Sequence, residues 1–227
     1  MAKITAIKVQ KRHPQRVNIY LDGEFAFGLA RIVAAWLQVG QELTPEDIAR
    51  LQEADAQEQA YQRALRYLAY RPRSEAEIRR HLQKHRTAPA HIEAVLTRLR
   101  DLGLVNDAHF ASAWVENRST FRPRGRRALR AELRQKGLSE DAIAQALENV
   151  NEAQLAYQAA QKRLRRYRDL PWPVFRQRLG AYLARRGFPY DIITTTLARV
   201  WQEIHPDSPS ASDAEDIPDN EETPCTD

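Results

Sequence analysis

The chain has 227 residues, 35 Lys and Arg against 30 Asp and Glu for a net charge of +5, and 43% hydrophobic residues. That is room for one long or two ordinary domains, with apolar content at the low end for packed globules. A single cysteine, Cys225, excludes an internal disulfide and with it a disulfide-stapled secreted framework, so a reducing cytoplasm is the expected location.

The opening residues MAKITAIKVQKRHPQ hold no apolar export core. The most apolar stretch, Phe25 to Val39, is interrupted by Arg31 and falls short of the roughly 18 residues a membrane span needs. No membrane contact is expected.

Strand signals come first. Ile7 and Val9, then Val17, Ile19 and Leu21, then Phe25, Phe27 and Leu29 recur at spacing two, which predicts a small antiparallel three-stranded meander. One turn falls around Pro14 and the other at Asp22-Gly23, where Gly accepts the positive φ of a tight hairpin. A short helix is expected from about Ala30 to Gln38, ending at Gly40. Next, Thr44-Pro45-Glu46-Asp47 reads as a helix start, with Thr44 as cap, Pro45 at the first position and two acids facing the positive helix end. From there the chain reads helical.

An internal repeat of about 50 residues organises that helical part. Ile78, Leu82, Ile92, Leu96 and Leu99 return as Leu129, Leu133, Ile143, Leu147 and Val150, and again as Leu179, Leu183, Ile193, Leu197 and Val200. The spacing within each set describes two amphipathic helices joined by a turn. Gly137 and Gly187 share the turn position, where a left-handed helix cap favours Gly; the first repeat has Arg86 there. Ser74 with Glu77 forms a capping box, and Ser139 precedes two acids. Leading helices are expected near Glu58–Tyr70, Asp107–Ser119 and Glu152–Arg168.

The expected fold is therefore mainly α: tandem three-helix modules in an elongated curved array, stacked because each is small, preceded by the β-meander. The expected parts are residues 1–56, modules at 57–105, 106–150 and 151–204, and a disordered acidic tail at 205–227.

Charge follows these parts. Residues 1–56 are neutral, 57–204 carry +13, and 205–227 carry −8. Of the 28 cations in the modules 25 are Arg, whose planar fork grips phosphate or carboxylate with two bonds, which points to nucleic acid or an acidic protein surface. The same pattern is also what solvated helix faces present. The strongest cluster is Arg118, Arg122, Arg124, Arg126, Arg127, Arg130, Arg134 and Lys136, opposed in that span only by Glu132. Arg126, Arg130 and Arg134 recur every four residues and so line one helix face. A second cluster, Lys162, Arg163, Arg165, Arg166 and Arg168, is interleaved with Tyr167 and followed by Trp172. Those aromatics suit either base stacking or the module's own core.

No phosphate-binding glycine loop and no hydrolase or zinc-protease motif is present. His81 and His85 sit four apart on a predicted helix, but two imidazoles with no third ligand nearby make a poor metal site. No catalytic residue, metal or cofactor is expected, and Cys225 is read as inert.

These residues resemble the RecX regulatory proteins. The likeness runs from Ala64-Leu65 through Arg73-Ser74-Glu75-Ala76-Glu77-Ile78 and Leu82. It continues through Val105-Asn106-Asp107, Phe110-Ala111, Asn117-Arg118, Gly125, Leu129, Glu132-Leu133 and Lys136-Gly137, and includes Tyr20-Leu21-Asp22-Gly23. It covers about residues 4 to 203. Asn106 stands where a second acid often precedes Asp107, and Arg86 replaces the turn glycine. The resemblance implies a non-enzymatic regulator of the RecA recombinase. Such a protein binds in the groove of the RecA filament on single-stranded DNA and inhibits filament growth, ATP hydrolysis and strand exchange, and a monomer is expected. The alternative class is a protein whose Arg-rich modules bind nucleic acid directly.

Overall fold

The structure, a computed structural model, describes residues 1–206. Cys225 and all but the first two residues of the acidic tail lie outside the described residues. The chain divides into two compact units, Met1–Asp107 and from Ala108 onward.

In the first unit, β1 (Ala2–Val9), β2 (Arg16–Leu21) and β3 (Glu24–Ala30) form the expected antiparallel meander, with Ile7 opposite Ile19 and Ile19 opposite Phe27. Asp22 and Gly23 turn the second hairpin with φ of 49° and 93°, the two positive values of a type I′ loop. A fourth strand, β4 (Glu42–Leu43), joins the edge of β1 to give the order β3-β2-β1-β4.

The helix expected from Ala30 to Gln38 is instead a run of turns, in which Val33 and Ala34 N–H groups both donate to the Ala30 carbonyl. Its apolar residues divide between core and solvent. Ala34 is buried with Val33 and Leu37 packed partly buried beside it, whereas Ile32, Trp36 and Val39 stand 62%, 88% and 63% exposed, too little packing to offset the cost of nucleating so short a helix.

Helix α1 (Pro45–Leu68) opens with a capping box: the Asp47 N–H donates to Thr44 Oγ1 at 3.2 Å, and the Asp47 carboxylate accepts from the Thr44 N–H at 3.0 Å. It serves two cores. Ile48 and Leu51 pack under the sheet against Ile4, Val17, Ile19, Leu29 and Leu43, while Ala60, Tyr61 and Ala64 belong to the core of the first three-helix module. The helix runs without a break through residue 56, where the sequence suggests a domain edge.

Between those two cores lies Asp55, 5% exposed, whose carboxylate accepts from the Arg16 guanidinium at 2.9 and 3.2 Å. It also accepts from the Ala30 N–H and Gln59 Nε2, both at 2.6 Å. One buried carboxylate thus ties strand, loop and helix together.

Helices α2 (Glu75–Lys84) and α3 (Pro89–Asp101) complete the first module around Ile78, Leu82, Ile92, Leu96 and Leu99. The second unit holds α4 (Asp107–Phe121), α5 (Arg126–Lys136), α6 (Glu140–Leu147), α7 (Glu152–Leu164), α8 (Trp172–Arg185) and α9 (Tyr190–Ile204). Of the fifteen repeat positions, fourteen are buried and Val150 is partly buried, which establishes the repeat as the core pattern of each module.

Each set of three helices closes on an apolar cluster of its own, and Val150, at the end of the second module, packs against the clusters of both the second and the third. The turn position shared by the repeats has φ of 57° at Arg86 and 83° at both Gly137 and Gly187. All three modules therefore make the same left-handed turn, and the first makes it with a side chain.

Helix α7 ends at Leu164, earlier than expected, and Arg165 to Arg168 lie in turns.

Candidate partner and nucleic-acid interface

The second unit is joined backbone to backbone. Gly125 caps α5, and its N–H donates to the Arg186 carbonyl at 2.9 Å. A Cβ on Gly125 would stand 2.2 Å from the Gly187 carbonyl oxygen, and one on Gly187 would stand 2.6 Å from the Ala128 Cβ. Around this contact Arg186 donates to the Pro123 carbonyl at 2.9 Å, and Lys162 donates to the Thr120 and Phe121 carbonyls at 2.9 and 3.2 Å, satisfying the exposed end of α4.

The cations predicted from the sequence divide according to what holds them. Glu132 is a hub: it accepts from Trp114 Nε1 and Arg118 Nε, each at 2.7 Å, and pairs with Arg124 at 2.8 Å. Arg118 also lies 4.4 Å above the Trp114 ring. Arg126 donates to the Glu148 and Val150 carbonyls at 3.2 and 2.8 Å, closing module two against the start of α7. Arg134 forms a two-pronged pair with Glu140 at 2.5 and 3.0 Å, which holds the Glu140 carboxyl below the usual carboxylate range. Arg163 lies over the Tyr182 ring, and Arg168 is 3.6 Å from Asp169.

Lys136 lies 4.8 Å over the Trp114 ring, and Arg122, Arg127, Arg130, Arg165 and Arg166 remain. All five are exposed, and none has a side-chain hydrogen bond or ion pair among the described residues. Arg127 and Arg130 share a cleft of about 520 Å³ with Arg126 and Arg134, walled by Gly187, Phe188 and Pro189. Arg130 also adds to the pull on Glu140. The expected rail of Arg126, Arg130 and Arg134 is thus brought together, but its two ends are engaged internally, and its centre, with Arg127, lines the cleft with no hydrogen bond or ion pair among the described residues.

The two sequence clusters adjoin at the joint. Burial holds the Arg186 pKa below the usual guanidinium range; Tyr182 offsets part of this, and Arg124, Arg163 and Arg122 add to it. Residues from both clusters therefore raise the potential at one place, which spacing along the chain gives no means of foreseeing.

Tyr167 and Trp172 pack into the third module's core, Trp172 with its centroid 5.1 Å from Trp201, so they are core aromatics and not a stacking platform. His81 stacks face to face on Tyr67 at 4.0 Å, and no cluster of three metal-ligating side chains exists among the described residues. No helix there is long and apolar enough to cross a membrane.

The sequence reading missed a second cationic cleft, in the first unit, between the β1–β2 turn and α1. One wall had a signal: Gln59, Gln62, Arg63 and Arg66 recur at helical spacing on the face of α1 opposite Ala60, Tyr61 and Ala64. The other wall comes from turns 30–50 residues away and had none.

Four family models cover most of the chain. They are the regulatory protein RecX N-terminal domain at residues 2–44 and the RecX first, second and third three-helix domains at 60–99, 106–147 and 151–197. The chain is 34% identical over 213 residues to the regulatory protein RecX of Bacillus subtilis, covering 92% of this chain and 81% of that one. It is 38% identical over 212 residues to that of Levilactobacillus brevis, covering 91% and 79%. Among solved structures it is similar to a crystal structure of regulatory protein RecX, with TM-score 0.71 and 35% identity over 86% of this chain and 98% of that one. It is also similar to RecX from Lactobacillus salivarius, with TM-score 0.59 and 25% identity over 66% and 99%. With every module matched in order and the relatives aligned over most of their length, the chain belongs to the RecX family of regulatory proteins.

Proposed function

We propose that this protein is a non-enzymatic negative regulator of a RecA recombinase. It binds as a monomer in the groove of the RecA filament on single-stranded DNA and inhibits filament extension, ATP hydrolysis and strand exchange. The observation that carries this reading, in a chain of the RecX family, is the α5 cleft. There Arg127 and Arg130 have no side-chain hydrogen bond or ion pair among the described residues, while the neighbouring Arg126 and Arg134 have internal partners. Exposed guanidinium groups held on a packed helix, with only Glu152 among the lining residues as an acid, suit an external anion, either a DNA phosphate or a carboxylate on a filament subunit. A regulator of this kind acts by occupying a surface and needs no nucleophile, metal or cofactor.

The test is RecA ATP hydrolysis on single-stranded DNA at near-physiological salt while this protein is titrated in. The expected result is loss of hydrolysis at protein well below the RecA concentration, where too few molecules are present to cover the DNA. Loss only after the DNA is saturated, with binding to bare DNA that weakens steeply with salt, would replace this reading with direct nucleic-acid binding.

A further inference from the structure

The cleft of the first unit has no part in that proposal. It encloses about 490 Å³, within the range of small-molecule sites, between the β1–β2 turn, the residues after β3 and the polar face of α1. Arg12, Arg31, Arg63 and Arg66 line it, and none of their side chains has a hydrogen bond or ion pair among the described residues.

Glu58, the acid among its lining residues, and the buried Asp55, which is bonded to the lining residues Arg16, Ala30 and Gln59, are already engaged. Asp55 is held by Arg16, the Ala30 N–H and Gln59, and Glu58, 8% exposed, pairs with Arg98 at 2.9 Å and accepts from Gln62 at 2.8 Å. The four rim guanidiniums therefore face a floor that is internally neutralised. They line one open-mouthed cleft from three separate segments, unlike the single stripe that a long polymer backbone follows. All are Arg, whose fork binds phosphate with two bonds. Pro14, Ala30 and Ile32 add apolar wall beside them.

We propose that this cleft is a binding site for a small ligand bearing a chain of two or three phosphate groups, either a nucleoside polyphosphate or an inorganic one. The four arginines take the phosphate chain, and the Asp55–Arg16 joint fixes the position of the walls. Binding occupies the seam between sheet and α1 and so stabilises the first unit.

Calorimetric titration of the full chain with ATP, GTP, inorganic tripolyphosphate and AMP tests this, in the wild type and in two double variants. The expected result is one saturable triphosphate site, AMP at least tenfold weaker, and a loss of at least tenfold in Arg63→Gln/Arg66→Gln. Arg178→Gln/Arg185→Gln should bind as the wild type does, since its exposed side chains lie in the other unit and outside both cationic clefts. Far-ultraviolet circular dichroism confirms that both variants are folded.

A nucleoside triphosphate that binds more tightly than tripolyphosphate supports the site and identifies a nucleotide. Equal or tighter tripolyphosphate supports it and identifies an inorganic chain. Absence of saturation at millimolar ligand, or equal binding by wild type and folded Arg63→Gln/Arg66→Gln, overturns it. A single-stranded oligonucleotide that alone saturates the cleft overturns it in favour of a polymer site.

Discussion

Two joints in this molecule are built from opposite materials. In the first unit the sheet meets α1 through a charge: the Asp55 carboxylate collects donors from a strand, a loop and the helix itself. In the second unit the second and third modules meet through backbone, Gly125 on Gly187, where there is room for no side chain at all. A cationic cleft lies beside each joint. A joint made of charge depends on one side chain's chemistry, whereas a joint made of backbone depends on the absence of a side chain.

The largest effect is therefore expected at the glycine joint. Gly125→Ala forces its Cβ onto the Gly187 carbonyl and should lower stability by about 3 kcal/mol, read from the denaturant midpoint, while far-ultraviolet helicity in buffer stays near that of the wild type. Unchanged stability would mean that the modules part freely at this point.

Asp55→Asn comes next. It removes the anion beside Arg16 and presents an amide to donors that need an acceptor, at a cost of about 2 kcal/mol, discounted because Arg16 retains partial contact with water. The loss should appear in the first unit, as faster amide exchange along β2 and β3, and leave α5 to α9 protected.

The smallest effect sharpens the comparison from the repeat itself. Arg86 makes with a side chain the turn that Gly137 and Gly187 make without one. Arg86→Gly should stabilise the protein by about 0.5 kcal/mol, the relief of left-handed strain less the greater freedom of an unfolded glycine, seen as a small rise in the denaturation midpoint.

The same contrast explains what the sequence made legible. Repeat positions such as Leu82, Leu133 and Leu183 are buried because helical periodicity is a local property written in spacing, and the caps at Thr44, Ser74 and Ser139 are likewise local. The run from Ala30 to Gln38 misled because only Val33, Ala34 and Leu37 reach the core while Ile32, Trp36 and Val39 do not, a division that only the packed sheet decides. Asp55 meets Arg16 from 39 residues away, and Gly125 meets Gly187 from 62, so neither joint leaves a periodic trace.

For the cations, composition reveals how many there are but not which are engaged. Glu132 holds Arg118 and Arg124, backbone carbonyls hold Arg126 and Lys162, and Arg127 and Arg130 are left over only once those partners are in place.

That selection is the centre of the account, and one measurement bears on it most directly: substoichiometric inhibition of RecA ATP hydrolysis by Arg127→Glu/Arg130→Glu beside the wild type. Both side chains are exposed and make no hydrogen bond or ion pair among the described residues, so helicity should be unchanged and the denaturation midpoint nearly so, with only the pull of Arg130 on Glu140 lost, while the concentration for half-inhibition rises at least tenfold. A folded double variant that inhibits as the wild type does would contradict the assignment of this cleft as the contact surface.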